Sequence, residues 1–157
     1  MVDAQSGHEK TLTGLLTALA GANLIYGAGM LDTAMTFDYG QLVLDAEIAG
    51  LIKYTVAGVP VDDVTLSLDV INDVGPFHDF LSHEDTLRHM RIQSQPMLID
   101  RRVREEWSAD GSTDIAERAT ARAREILETH VPTPLPEGAA EEMQAIIRDA
   151  EGELGCL

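Results

Sequence analysis

Only one apolar run in this 157-residue chain is short enough, and closed tightly enough, to be a buried strand: Asn23-Leu24-Ile25-Tyr26, sealed by Gly27-Ala28-Gly29. A run of this length, bounded by glycines and following a helical pattern, reads as a strand rather than as further helix. Helix, strand and glycine turn make half of an α/β unit. A lone strand cannot be buried by itself, because it leaves two rows of backbone N–H and C=O groups without partners. Either Asn23–Tyr26 is not a strand, or it pairs with something this sequence does not contain.

The rest of the chain is patterned for six or seven helices. From about His8 to Ala20, Leu12, Leu15, Leu16 and Leu19 recur at helical spacing, and Gly21 supplies a stop. After a loop through Leu31 to Met35, Thr36 or Asp38 caps a long helix to about Ala57. Its apolar positions include Leu42, Val43, Ile48, Leu51, Ile52 and Val56, and Gly58 and Pro60 end it. Asp62 or Asp63 opens a helix carrying Val64, Leu68, Ile71 and Val74 up to Gly75-Pro76. Ser82-His83-Glu84-Asp85 has the form of a capping box with Ser82 as N-cap, starting a helix that stops near Pro96. Asp100 caps a short helix through Trp107, and Asp114 with Glu117 opens another with Ile115, Ala119, Ala123, Ile126 and Leu127 on one face. The prolines of Val131-Pro132-Thr133-Pro134-Leu135-Pro136 exclude helix and dictate an extended strap. A last helix, roughly Glu137 to Glu151, presents Met143, Ile146, Ile147 and Ala150. The fold class is mostly α with a small α/β part.

Charge narrows the partners. Eleven Lys+Arg against 27 Asp+Glu give a net charge of −16, which repels phosphate backbones and anionic lipid heads. Nucleic acid and membrane surfaces are therefore excluded as partners, whereas a cationic ligand is tolerated. Residues 1–87 are the most acidic part, with only Lys10 and Lys53 against 13 acids. Cys156 is the only cysteine, so neither an intrachain disulfide nor a cysteine-ligated metal is expected. The N-terminus has no basic and apolar leader pattern, and no apolar run approaches the ~20 residues that span a bilayer. A cytoplasmic location follows as the expectation.

Three segments agree with one family. Asp3-Ala4-Gln5-Ser6-Gly7-His8-Glu9-Lys10-Thr11, then Gly21-Ala22-Asn23-Leu24-Ile25-Tyr26-Gly27-Ala28-Gly29-Met30-Leu31, then Met35-Thr36-Phe37-Asp38-Tyr39, resemble the C-terminal part of the trimethylamine methyltransferase family. Ser94-Gln95-Pro96, Asp100-Arg101-Arg102 and the proline strap continue the likeness over nearly the whole chain. The resemblance implies a (β/α)8 TIM barrel that moves a methyl group from a tertiary or quaternary amine, such as trimethylamine or glycine betaine, to a cobalt corrinoid. That corrinoid (cobalamin) is carried by a separate protein, so no tightly bound cofactor is implied for this chain. Some members carry pyrrolysine, at a position that would fall upstream of Met1. A full barrel takes about 250 residues, so the resemblance implies a C-terminal fragment of the barrel plus C-terminal helices. On that reading residues 1–58 are the last α/β units and residues 59–157 a helical wrap of the same domain. Helix His8–Ala20 is then barrel helix 7, Asn23–Tyr26 strand 8, and Thr36–Ala57 helix 8. The alternative, from another class, is a non-catalytic helical assembly or interaction protein derived from that family.

Barrel sites form at the C-terminal ends of strands, and the two loops of that kind here are Val2 to His8 and Gly27 to Thr36. Gln5, His8, Met30 and Phe37 are the candidate substrate-binding residues. His8, at the predicted helix opening, would hydrogen-bond a substrate carboxylate or organise the approach of the corrinoid; the plainer alternative is that Gln5 and His8 cap the helix from outside. Met30 would face the barrel mouth, and the ring of Phe37 would attract an ammonium through its quadrupole, unless it is simply core. Asp3 and Glu9 read as helix-dipole carboxylates. His78, His83 and His89 are spaced by five and six residues, which puts them off one helical face and against a metal site. No catalytic residue is read from the pattern, and none is required where a cobalt nucleophile performs the displacement and the protein supplies orientation and a dry site. The exposed apolar surface left by missing strands implies a homo-oligomer.

Overall fold

The computed structural model describes Val2–Gly155; Cys156 lies outside the described residues. The order is α1 (Ala4–Leu19), β1 (Met30–Leu31), β2 (Thr36–Phe37), α2 (Tyr39–Val56), α3 (Asp63–Leu66), α4 (Leu68–Val74), α5 (Glu84–His89), α6 (Arg104–Ala109), α7 (Ile115–Thr129) and α8 (Ala139–Leu154). The chain is thus mostly helical, with one small antiparallel sheet among the described residues. The residues fall into two compact units, Met1–Glu125 and Ile126–Leu157.

α1 begins four residues earlier than the apolar repeat indicates, because a local signal outranks it. The Ser6 amide donates to Asp3 Oδ1 at 2.9 Å and the Asp3 amide donates to Ser6 Oγ at 3.0 Å, a reciprocal cap that satisfies two helix-start donors. At the other end Gly21, at φ +84°, lets its amide and that of Ala22 close on the last carbonyls. α1 packs on α2 through Gly14, where a Cβ would lie 2.8 Å from Ile52 Cδ1. The leucine face Leu12, Leu16 and Leu19 is left exposed.

Asp38 caps α2 as expected, accepting from the Gln41 amide at 2.7 Å. The core of the first unit is small: Leu44 and Ile48 of α2, Leu98, and Ala119 of α7, flanked by Val2, Val43, Ile52 and Ile115. Gly40 lets α7 approach closely, since a Cβ there would sit 2.9 Å from Thr120 Oγ1. Asp114 and Glu117 form the expected reciprocal cap of α7.

Four expectations need correction. Asn23–Tyr26 forms no strand: Asn23 lies in a bend and Leu24–Tyr26 have no regular structure and no ladder partner among the described residues, with Leu24 79% and Tyr26 86% exposed. A strand exists only through its neighbours, and none of matching length is present. The helix expected from Asp62 or Asp63 to Val74 is split into α3 and α4 by Ser67 at φ 49°, whose hydroxyl sits 2.9 Å from Val64 O and 3.2 Å from Asp85 Oδ2. α5 is capped by His83 rather than Ser82, its Nδ1 accepting from the Asp85 amide at 3.1 Å, and it ends at His89. α6 starts at Arg104, because the Asp100 carboxylate is turned onto the amide and guanidinium of Arg102.

In the second unit the segment 130–136 is non-helical, as the prolines dictate, and α8 follows with Met143, Ile146 and Ile147 exposed. Large apolar side chains thus stand open to solvent in each unit, Leu24 and Tyr26 in the first and Met143 and Ile146 in the second among them.

Candidate functional site

α2 carries a polar stripe, Asp38, Gln41 and Asp45, on a helix that is otherwise largely apolar. Spacings of three and four residues stack these side chains on one face, and that face looks at α1 and the glycine loop. Gln41 is 0% and Asp45 8% exposed, so their polar atoms must be paired internally. They are. Lys10 Nζ of α1 meets Asp45 Oδ2 at 2.5 Å, and the Gly29 amide donates to the same oxygen at 2.8 Å. Gln41 Nε2 donates to Asp45 Oδ1 at 2.6 Å. Lys10 Nζ also donates to the Gly27 carbonyl at 3.0 Å. One lysine and one carboxylate thus hold both ends of Gly27-Ala28-Gly29 from two different helices.

The hairpin grows directly out of that anchored turn. Met30 N donates to Gly27 O at 3.1 Å, and Asp38 N donates to Gly29 O at 2.9 Å. Gly29 sits buried at φ +79°, and a Cβ there would lie 2.6 Å from Phe37 Cε2. Glycine is required on both counts, conformation and space. Met30 pairs with Phe37 across the strands, so the two side chains share a face of the hairpin. The Phe37 ring meets Tyr39 edge to face at a centroid separation of 5.3 Å. Of the four candidates taken from sequence, Met30 and Phe37 are therefore brought together, both partly open to solvent.

Gln5 and His8 are placed differently. Both are exposed on α1, and Gln5 Nε2 donates to Glu9 Oε1 at 2.9 Å. His8 lies in the second turn instead of at the helix opening, because Asp3 and Ser6 start the helix earlier. Asp3 is the N-cap itself. Neither Gln5 nor His8 is hydrogen-bonded to the hairpin among the described residues.

The sequence reading missed Lys10, Gln41 and Asp45. Two signals were available: Lys10 is one of two bases among 13 acids, and the stripe of Asp38, Gln41 and Asp45 interrupts an apolar helix. A second clamp was also missed. Glu47 accepts from the amides of Met97, Leu98 and Ile99 at 2.7, 2.7 and 2.8 Å, while Arg118 Nε donates to Leu98 O at 2.9 Å. The segment after Ser94-Gln95-Pro96 is therefore fixed between α2 and α7. Arg101 donates back to Ser94, and Arg102 bridges Asp100 and Asp110. The Arg102 guanidinium, foremost by its hydrogen bond, holds the Asp100 carboxyl down at about 2.

No group of three or more His, Cys, Asp or Glu among the described residues is arranged to hold a metal ion. His83 Nε2 lies 3.5 Å from Asp73 and His89 Nδ1 lies 3.1 Å from Asp85. No helix among the described residues is long and apolar enough to cross a membrane. Between α1, α2 and the extended segment lies an open, mostly apolar cleft of about 1050 Å³, bordered by Gly14, Leu24, Ile25, Ile48 and Ile52.

Residues 1–155 match the family model described as trimethylamine methyltransferase (MTTB). The chain is 52% identical over 153 residues to a trimethylamine methyltransferase of Desulfitobacterium hafniense (strain DSM 10664 / DCB-2), covering 98% of this chain and 31% of that protein. A trimethylamine methyltransferase of Methanosarcina barkeri is 44% identical over 149 residues, covering 95% of this chain and 30% of the relative. A glycine betaine methyltransferase of Desulfitobacterium hafniense (strain Y51) is 33% identical over 156 residues, 98% of this chain and 32% of the relative. The chain thus spans about a third of the length of these relatives. With the match running from the Asp3 cap through the glycine hairpin to the end of α8, this chain belongs to the trimethylamine methyltransferase family.

Proposed function

We propose that this chain is the C-terminal part of a corrinoid-dependent methyltransferase acting on a tertiary or quaternary methylamine, such as trimethylamine or glycine betaine. The observation that carries the reading is the 52% identity to a trimethylamine methyltransferase over almost the entire chain. On this reading the whole protein is a (β/α)8 barrel of the cytoplasm, working as a homo-oligomer. Residues 1–58 are its last α/β units and residues 59–157 wrap it. α1 is then barrel helix 7, Asn23–Tyr26 is strand 8 and α2 is helix 8. The exposed apolar Leu24-Ile25-Tyr26 supports this assignment, since a barrel supplies neighbours that would cover it.

The loop after that strand is the Gly27–Asp38 hairpin, at the end where barrels build their sites. Met30 and Phe37 on its shared face are proposed to contact the methylated amine, with Gln5 in the first turn of helix 7 and His8 in its second turn lining the same mouth. An aromatic face and polarisable sulfur suit an ammonium group, worth about 0.5–2 kcal/mol for the ring. Charge agrees: Lys10, the nearest base in sequence to the site loops, is spent on Asp45 rather than facing a cation.

The corrinoid arrives on a partner protein, and its reduced cobalt supplies the nucleophile that takes the methyl group. Of this chain's residues, His8, exposed on α1, is the one proposed to meet the corrinoid's approach. The chain's own work is to hold the amine in line and to keep water from the methyl group. The test is product analysis with the full-length protein, its corrinoid partner and a reductant. Trimethylamine should yield dimethylamine, or glycine betaine dimethylglycine. No demethylated product from any tertiary or quaternary amine in the panel would refute the reading.

A further inference from the structure

The ion pair of half-buried Lys10 and buried Asp45 takes no part in the chemistry just described, yet its bonds end on the backbone that carries the site. We propose that Lys10, Gln41 and Asp45 are positioning residues that set the substrate-contacting face of Met30 and Phe37 by fixing Gly27 and Gly29. The claim that this face meets substrate rests on the methyltransferase reading; the claim that the network sets the loop does not.

Asp45 Oδ2 takes the Gly29 amide at 2.8 Å and Lys10 takes the Gly27 carbonyl at 3.0 Å, so the turn is gripped at a donor and at an acceptor. Gly29 in turn supports the Phe37 ring, which a Cβ at that position would strike, and its carbonyl accepts from Asp38, the cap of α2. Gln41 completes the unit by holding Asp45 Oδ1 at 2.6 Å, which fixes the carboxylate's rotation. A network built only to join α1 to α2 would need the Lys10–Asp45 contact alone. Here three of its hydrogen bonds beyond that contact fix either the loop or the carboxylate that binds the loop. A hairpin of two-residue strands has too few ladder bonds to hold itself, so its placement is borrowed from the helices.

The test combines Lys10→Met, Gln41→Leu and Asp45→Leu in one protein, which removes the three mutually paired side chains together and leaves neither charge without its partner, so that the loss falls on the Gly27 and Gly29 backbone. Amide exchange at Gly29, measured in the full-length protein, reads the loop without reference to activity. It should quicken about tenfold or more once the bond is gone, with the α2 amides unchanged. In the full-length protein KM for the amine should rise about tenfold, with kcat less affected and the melting temperature within a few degrees. Asp45→Asn, nearly isosteric, keeps an acceptor for Gly29 without the charge and should fall between the original protein and the triple variant on both scales. Should the triple variant not fold, Asp45→Asn alone decides: Gly29 exchange and KM must both exceed those of the original protein. Unchanged Gly29 exchange, or a lowered melting temperature with unchanged KM, would overturn it and leave the network as helix glue. If the unaltered full-length protein demethylates nothing, the methyltransferase reading fails, while Gly29 exchange still decides whether the network sets the loop.

Discussion

Individual residues in this chain are constrained most strongly where conformation and space coincide. Gly29 combines a left-handed backbone with a ring lying where a Cβ would go. Gly29→Ala should therefore cost about 1–3 kcal/mol from backbone strain, with ring displacement adding to it, read as a lowered denaturation midpoint. Asp100 is a different kind of residue, defined by charge. Its carboxyl is held at about 2 by Arg102, against an ordinary 3.8. A lowered native value means that its stabilising contribution is present above the ordinary value and is lost as pH falls from about 4 through 2. A carboxyl carbon titration should give an Asp100 midpoint near 2, and Arg102→Gln should return it toward 3.8. Sequence made some of this readable. The glycines around Gly29 announced a turn, and Phe37 was singled out, but the need for Gly29 under the Phe37 ring depends on a contact eight residues away. Lys10 and Asp45 were opaque for a stronger reason: their pairing joins two helices 35 residues apart, and no local pattern encodes it.

At the scale of elements, what was legible follows from how local each signal is. The caps at Asp38 and at Asp114 with Glu117 lie within a few residues of what they bind, and both hold. The cap of α1 was equally local, but Ser6 in the third helical position is a less familiar partner than Glu, and the helix start was placed late. The strand at Asn23–Tyr26 required a partner, and without one among the described residues the segment is irregular. Ser67 breaks a helix that periodicity joins, because its hydroxyl is drawn toward Asp85, 18 residues on. Glu47 shows an element-scale effect that can be measured. It is the acceptor for three successive amides at Met97, Leu98 and Ile99. Glu47→Ala leaves those donors without their acceptor and should destabilise by about 1–3 kcal/mol. Amide exchange should quicken at those three residues while the α1 amides stay protected; unchanged exchange there would show that Arg118 alone holds the turn.

For the whole molecule, surface is the governing quantity. Each of the two units leaves large apolar side chains open to solvent. Leu24, Tyr26 and the leucine face of α1 are among the exposed apolar groups. Isolated, the chain should associate and melt without a sharp cooperative transition, and light scattering across a concentration series checks this; a clean monomer at high concentration with a sharp melt would contradict it. The most direct measurement compares methyl transfer by the full-length protein with that by this chain alone, each mixed with the reduced corrinoid protein and excess trimethylamine or glycine betaine. Methyl transfer is followed by the loss of the reduced cobalt's absorbance. Amine-dependent loss with the full-length protein, and none with the isolated chain, is the expected result, because on the proposed barrel reading the site needs strands from the rest of the protein. Turnover by the chain alone, or none by the full-length protein with either amine, would contradict it.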